Sequence, residues 1–139
     1  MIPPPPRLEP LGGNRYRLAE EYVYSWKKDG VHAKLVVPVG FECDLASVPR
    51  ILWWYISPFD LGSAVVPHDW LYTHGGYLPE GSHLRLEEGV WVDVGLPWTR
   101  RDADRLFGRM MREANIRKRK RRRAYKAVRL FGWRAWRRR

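Results

Sequence analysis

Apolar residues recur at alternate positions in the stretch 15–26 (Tyr16, Leu18, then Tyr22, Tyr24, Trp26), which predicts a strand. Lys27-Lys28-Asp29-Gly30 supplies turn chemistry, and residues 31–37 are the returning strand of an N-terminal β-hairpin. Residues 40–49 read as irregular, with Ser47 and Pro49 near the start of a short helix carrying residues 50–56. A second helix starts at Ser63 or Val66 and runs to about His74, with Pro67 in its first turn, where a missing N–H does no harm. Gly75-Gly76 ends it. Residues 84–86 and 90–94, joined around 87–89, form a small second hairpin. Thr99 caps a helix over 100–116 with Asp102 in its first turn, and a last helix covers about 121–136. The order predicts an α+β single small domain with an N-terminal β-hairpin, a second small hairpin, a helical core and a basic C-terminal helix. Residues 1–14 read as a Pro-rich arm, 15–116 as the α+β core, and 117–139 as an Arg-rich C-terminal helix packed on that core.

The 139 residues suit one compact domain, and 45% hydrophobic residues with eight Trp exclude disorder throughout. The longest apolar run, Ile51-Leu52-Trp53-Trp54-Tyr55-Ile56, is far below the roughly 18 residues of a membrane span. Met1-Ile2 leads directly into Pro3-Pro4-Pro5-Pro6, so no signal peptide is expected. A single cysteine, Cys43, excludes an internal disulfide framework.

Charge divides the chain. Residues 1–99 carry 8 Lys+Arg against 12 Asp+Glu, whereas residues 100–139 carry 18 against 3. Seven consecutive cations, Arg117, Lys118, Arg119, Lys120, Arg121, Arg122 and Arg123, repel one another and predict a polyanionic partner: nucleic acid, anionic phospholipid or an acidic protein face. A solvated helix face is the plainer alternative.

The candidate chemistry lies in Pro67-His68-Asp69-Trp70-Leu71-Tyr72. At helical spacing Ala64, Val65, Leu71 and Tyr72 fall within roughly 60° of His68, which centres the imidazole on the buried stripe. Such a ring needs a polar partner. Asp104 borders the stripe of Ala103, Phe107, Met110, Met111 and Ala114 on the later helix, so antiparallel packing makes His68–Asp104 the natural contact. The pair fits either a general base with an oriented imidazole or a histidine tied into the core. Cys43 and Ser47 lie in no nucleophile signature. Asp44 beside Asp69 offers oxygen ligands to a hard cation such as calcium, or forms an Asx turn. Trp53 and Trp54 suit an interfacial surface or ordinary packing.

Four blocks of the chain resemble a bacteriophage and prophage family catalogued as domain of unknown function 1353. They are Gly40-Phe41-Glu42-Cys43-Asp44-Leu45-Ala46-Ser47-Val48-Pro49-Arg50, Val66-Pro67-His68-Asp69-Trp70-Leu71-Tyr72, Arg101-Asp102-Ala103-Asp104-Arg105-Leu106-Phe107 and Tyr125-Lys126-Ala127-Val128-Arg129-Leu130-Phe131-Gly132. The resemblance implies a phage or prophage origin and no particular activity. The expectation is a virion structural or assembly component (head, connector or tail) that meets other phage structural proteins, its basic end docking on a polyanion. His-Asp-x-x-Tyr followed by Ala-Asp-x-x-aromatic is also similar to the core of phospholipases A2. That likeness implies a hydrolase with His68 as base, Asp104 orienting it, Tyr72 in support and Asp69 holding calcium, although the glycine-rich calcium loop of those enzymes is absent and only residues 40–47 could replace it.

Overall fold

The computed structural model describes residues 3–13, 15–43 and 62–137 and has an α+β architecture in one domain. Asp44, Ser47, Trp53, Trp54 and the expected helix over 50–56 lie outside the described residues. A three-stranded antiparallel sheet is built from β1 (Leu8–Gly12), β2 (Arg15–Leu18) and β5 (Glu42–Cys43) in the order β1-β2-β5. A four-stranded sheet, in the order β3-β4-β6-β7, holds β3 (Tyr22–Lys28), β4 (Val31–Val37), β6 (His83–Glu87) and β7 (Val90–Asp93).

The single strand expected over 15–26 is two strands in two sheets. Glu20 falls on the same phase as Leu18 and Tyr22, and a carboxylate is not buried there. The chain leaves the sheet instead, with residues 19–21 exposed and Glu20 beside Arg7 at 3.7 Å. Leu8–Gly12, read as part of an extended arm, is an edge strand. Its Pro10 needs no ladder partner there, and a bulge between Pro10 and Gly12 absorbs the extra residue. The carbonyl of exposed Pro4 accepts a 2.8 Å hydrogen bond from the Tyr22 hydroxyl.

The two hairpins of the large sheet close as expected. Asp29-Gly30 and Glu88-Gly89 adopt positive φ, as two-residue primed turns require. Pairing of Ala33 with Arg85 then adds the second hairpin to β4. Tyr22, Tyr24, Ala33, Leu35 and Val37 face the core, where α1 (Val65–Thr73) packs on β4 and β5. A 3-10 turn, Gly62–Ala64, leads into α1, and Pro67 lies in the first turn of the helix. Gly75 and Gly76 follow with positive φ. A Cβ on Gly76 would come 1.9 Å from the Trp98 carbonyl oxygen, so only glycine allows the chain to pass.

Two amphipathic helices complete the fold, α2 (Arg100–Glu113) and α3 (Lys118–Phe131), followed by a 3-10 turn at Gly132–Arg134. Thr99 caps α2 as expected, its hydroxyl oxygen accepting a hydrogen bond from the Asp102 amide at 3.1 Å while the Asp102 carboxylate accepts one from the Thr99 amide. Thr99→Ala is expected to destabilise the fold by about 1 kcal/mol in urea unfolding, with an unchanged denaturant slope. The last helix begins three residues earlier than expected, so most of the cationic run lies within it. Its buried face is Ala124, Ala127 and Val128, whereas Phe131 is 45% exposed. The helix ends at Phe131, and Arg100 rather than an apolar surface engages its final turn.

Candidate functional site

Helix α1 is buried over eight consecutive residues, Val65 to Tyr72, so its polar side chains must be satisfied inside the protein. His68 meets Phe107 and Asp104, while Tyr72 meets Asp104 and Arg100. Contacts therefore run down α2 as α1 advances, and the two helices are antiparallel. Sequence spacing had already paired His68 with Asp104. The distance from His68 Nε2 to Asp104 Oδ1 is 2.8 Å.

The Asp104 carboxylate is fully buried and gathers four donors. Oδ1 accepts from His68 Nε2 and, at 2.6 Å, from the Tyr72 hydroxyl. Oδ2 accepts from Arg129 Nη1 at 2.6 Å and from Arg100 Nη1 at 3.3 Å. A carboxylate has about four lone-pair sites, and all are used. Arg100 is shared further. Its two terminal nitrogens donate to the carbonyls of Val128 and Arg129 at 2.9 and 3.2 Å, capping the end of α3 where a cation is favourable. Arg129 returns its own side chain to Asp104. One carboxylate thus ties α1, α2 and α3 together.

Electrostatics settle the protonation. Burial alone would raise the Asp104 pKa, but hydrogen bonds from His68, Tyr72 and Arg129 outweigh it and hold the carboxyl below its ordinary value. Burial lowers the pKa of His68 despite the neighbouring carboxylate, and Arg100 adds to that effect. An ionised carboxylate only accepts, so His68 Nε2 is the donor in the bond to Asp104. Burial and the hydrogen bond to Asp104 likewise raise the Tyr72 hydroxyl well above 10. The imidazole sits between the rings of Tyr72 and Phe107, with centroids at 4.3 and 4.5 Å, and the residue is 2% exposed.

The C-terminal segment closes over this cluster. The Arg137 amide donates to the Tyr72 carbonyl at 3.1 Å, Trp136 meets the Tyr72 ring edge-on, and a Cβ on Gly132 would come 2.7 Å from the Tyr72 hydroxyl oxygen.

Of the site residues expected from the sequence, His68, Tyr72 and Asp104 come together, and Asp69 is buried beside them on α1. Among the described residues, no group of three or more His, Cys, Asp or Glu side chains is placed to hold a metal ion. Asp44, the expected partner of Asp69 in holding a cation, lies outside those residues. Arg117, Lys118, Arg119, Arg122 and Arg123 are exposed at the start of α3 or beside it, with Lys120 and Arg121 half-buried. Arg100 and Arg129 were not expected at the cluster. The i,i+4 spacing of Arg100 and Asp104 was a readable sign, whereas nothing local marks Arg129.

The family described as "Protein of unknown function (DUF1353)" matches residues 16–128, and the chain belongs to it. No curated protein and no solved structure matches the chain.

Proposed function

Because the family carries no assigned activity, we propose on the chain's own features that it is a non-catalytic assembly component whose basic helical end docks on a polyanion. The observation that carries this reading is the electrostatics of α3. Its first turn holds no acidic residue, and basic residues crowd the end where the helix macrodipole is already positive. Such an arrangement opposes helix stability and is relieved by an anionic partner. The burial of the His68–Asp104 cluster supports a structural rather than a reacting role for that pair. The likeness of the four sequence blocks to phage and prophage proteins supports a virion head, connector or tail as the setting. No helix among the described residues is long and apolar enough to cross a membrane.

Binding to heparin tests the docking reading. Affinity should fall steeply between 50 and 200 mM salt, and Arg119→Glu/Arg121→Glu/Arg123→Glu should weaken it by at least about tenfold. Salt-insensitive binding, or an unaffected triple variant, would overturn it. For the virion setting, mass spectrometry of particles induced from the source genome should find the chain's peptides.

A His-centred ester hydrolase is the second reading, favoured by the 2.8 Å His68–Asp104 hydrogen bond and the supporting Tyr72. It requires fatty-acid release from phospholipid vesicles by the wild type, with or without calcium, and loss of that release in His68→Ala. Equal turnover in the two proteins, or none across varied lipids, removes it.

A further inference from the structure

Helices α2 and α3 face each other across a groove of about 420 Å³. Its walls repeat one pattern. Arg105, Arg109 and Arg112 lie on α2, and Lys118, Arg121 and Arg122 on α3. Together with Gly108 and Tyr125, each helix contributes positions i, i+3, i+4 and i+7, the spacing at which packed helices usually present apolar side chains. Here both stripes are cationic. Among these six cations, Arg109 has an acidic partner, Glu113, at 3.2 Å. Arg121 Nε is buried with no hydrogen-bond partner among the described residues. Like charges facing across a recess and an unsatisfied guanidinium nitrogen both call for an anion carrying several oxygen acceptors.

The groove is not isolated. Arg105 and Arg109 also line a second cleft of about 430 Å³, which runs to Trp26, His83 and Trp98. The track along the outer face of α2 therefore carries aromatic rings at both ends and arginines between them. At one end Tyr125 is half-exposed, its ring seated against Gly108, where a Cβ would come within 3.4 Å. At the other, Trp26 and Trp98 meet edge-on, with the Trp98 indole N–H donating to His83.

We infer that this track binds single-stranded nucleic acid, with phosphates on Arg105, Arg109, Arg112 and the facing cations of α3, and unpaired bases stacked on Tyr125 at one end and against Trp98 at the other. Alternation of cations with stacking platforms is the chemistry of single-strand recognition, because every unpaired base offers a ring face. Duplex bases are stacked on each other and have no face to give. Recesses of this size hold a nucleotide or two each, whereas a duplex could only lie over their rims. The inference rests on the polyanion-docking reading and names its partner.

Fluorescence anisotropy with a 12-nucleotide oligothymidylate, a 12-base-pair duplex and heparin, on the full chain, tests it. The strand should bind more tightly than the duplex. Arg105→Glu/Arg112→Glu should weaken strand binding by at least about thirtyfold and flatten its salt dependence by more than one phosphate's worth (~0.7 per phosphate). Arg119→Glu/Arg123→Glu, which changes the net charge equally but lies outside both clefts, should cost no more than about fivefold. Tyr125→Leu should lose about tenfold on the strand and nothing on heparin, while Tyr125→Phe keeps wild-type binding, a contrast that general unfolding would not produce. Equal losses from the two charge-reversal pairs, a duplex bound as tightly as the strand, or an unaffected Tyr125→Leu would each overturn the inference. If heparin and duplex bind while the strand does not, only this inference fails. If heparin also fails to bind, the docking reading fails with it.

Discussion

Asp104→Ala is expected to lower the unfolding free energy by about 3–5 kcal/mol, because it strands a buried imidazole and two guanidinium groups at once. Global stability of a domain this size lies in the range of about 5–15 kcal/mol, so the variant should be close to unfolding at 37 °C. Its melting temperature should fall by about 10 °C or more. Tyr72→Phe removes a single donor from Oδ1 and should cost only about 1–2 kcal/mol. The two losses should not add in the double variant, since the Tyr72 hydroxyl has lost its acceptor once the carboxylate is gone. Urea unfolding with circular dichroism measures all three proteins. A loss below about 1 kcal/mol in Asp104→Ala would mean that the four-donor cluster is not the tie between the helices.

Acid should destabilise the protein first through His68. In the unfolded chain this residue takes up its proton near the ordinary value of 6.5, whereas in the folded chain burial holds it lower. Between those two values unfolding takes up a proton. The stabilising contribution is therefore complete above about pH 6.5 and declines as the pH falls, by up to about 1.4 kcal/mol per pH unit. Asp104 acts in the same direction at lower pH. Its folded value lies below the ordinary 3.8, and its contribution is lost as the pH falls through that folded value. His83 is also lowered by burial, with Arg85 adding to the effect, but it lies only partly buried between Trp26 and Trp98 and should contribute less. Unfolding midpoints measured from pH 7.5 to 5 should fall in the wild type, fall less steeply in His68→Asn, and be only slightly altered in His83→Gln. An identical slope in wild type and His68→Asn would remove His68 as the source.

A catalytic imidazole needs access to a substrate, and His68 has its ring between two aromatic faces and its Nε2 committed to Asp104. A carboxylate with every lone pair engaged is well suited to holding three helices in register. The C-terminal helix is accordingly part of the fold: Arg129 reaches the centre of the cluster, and Ala124, Ala127 and Val128 are buried. Removing the basic end would unmake the core, which is why charge reversal on its outer face is the cleaner test of binding.

Much of this was legible in the amino-acid order, and the reasons are local. Asp29-Gly30 and Glu88-Gly89 specify tight hairpins through backbone conformations that few other pairs tolerate. Thr99 and Asp102 mark a helix start because their side chains bond to the first amides. Helical periodicity put His68 at the centre of one buried stripe and Asp104 at the edge of another, which was enough to pair them. The division of residues 15–28 between two sheets was not visible, since the alternation continues in phase through Glu20 and only the cost of burying that carboxylate breaks it. Nor was the role of Arg129, one of many arginines on a helix whose facing surface is set by packing. Periodicity is a property of neighbouring residues and is carried by the chain itself. Which cation reaches a buried carboxylate 25 positions away, and which cations are left to face one another across a groove, depends on how the helices close on each other, and only the tertiary structure decides that.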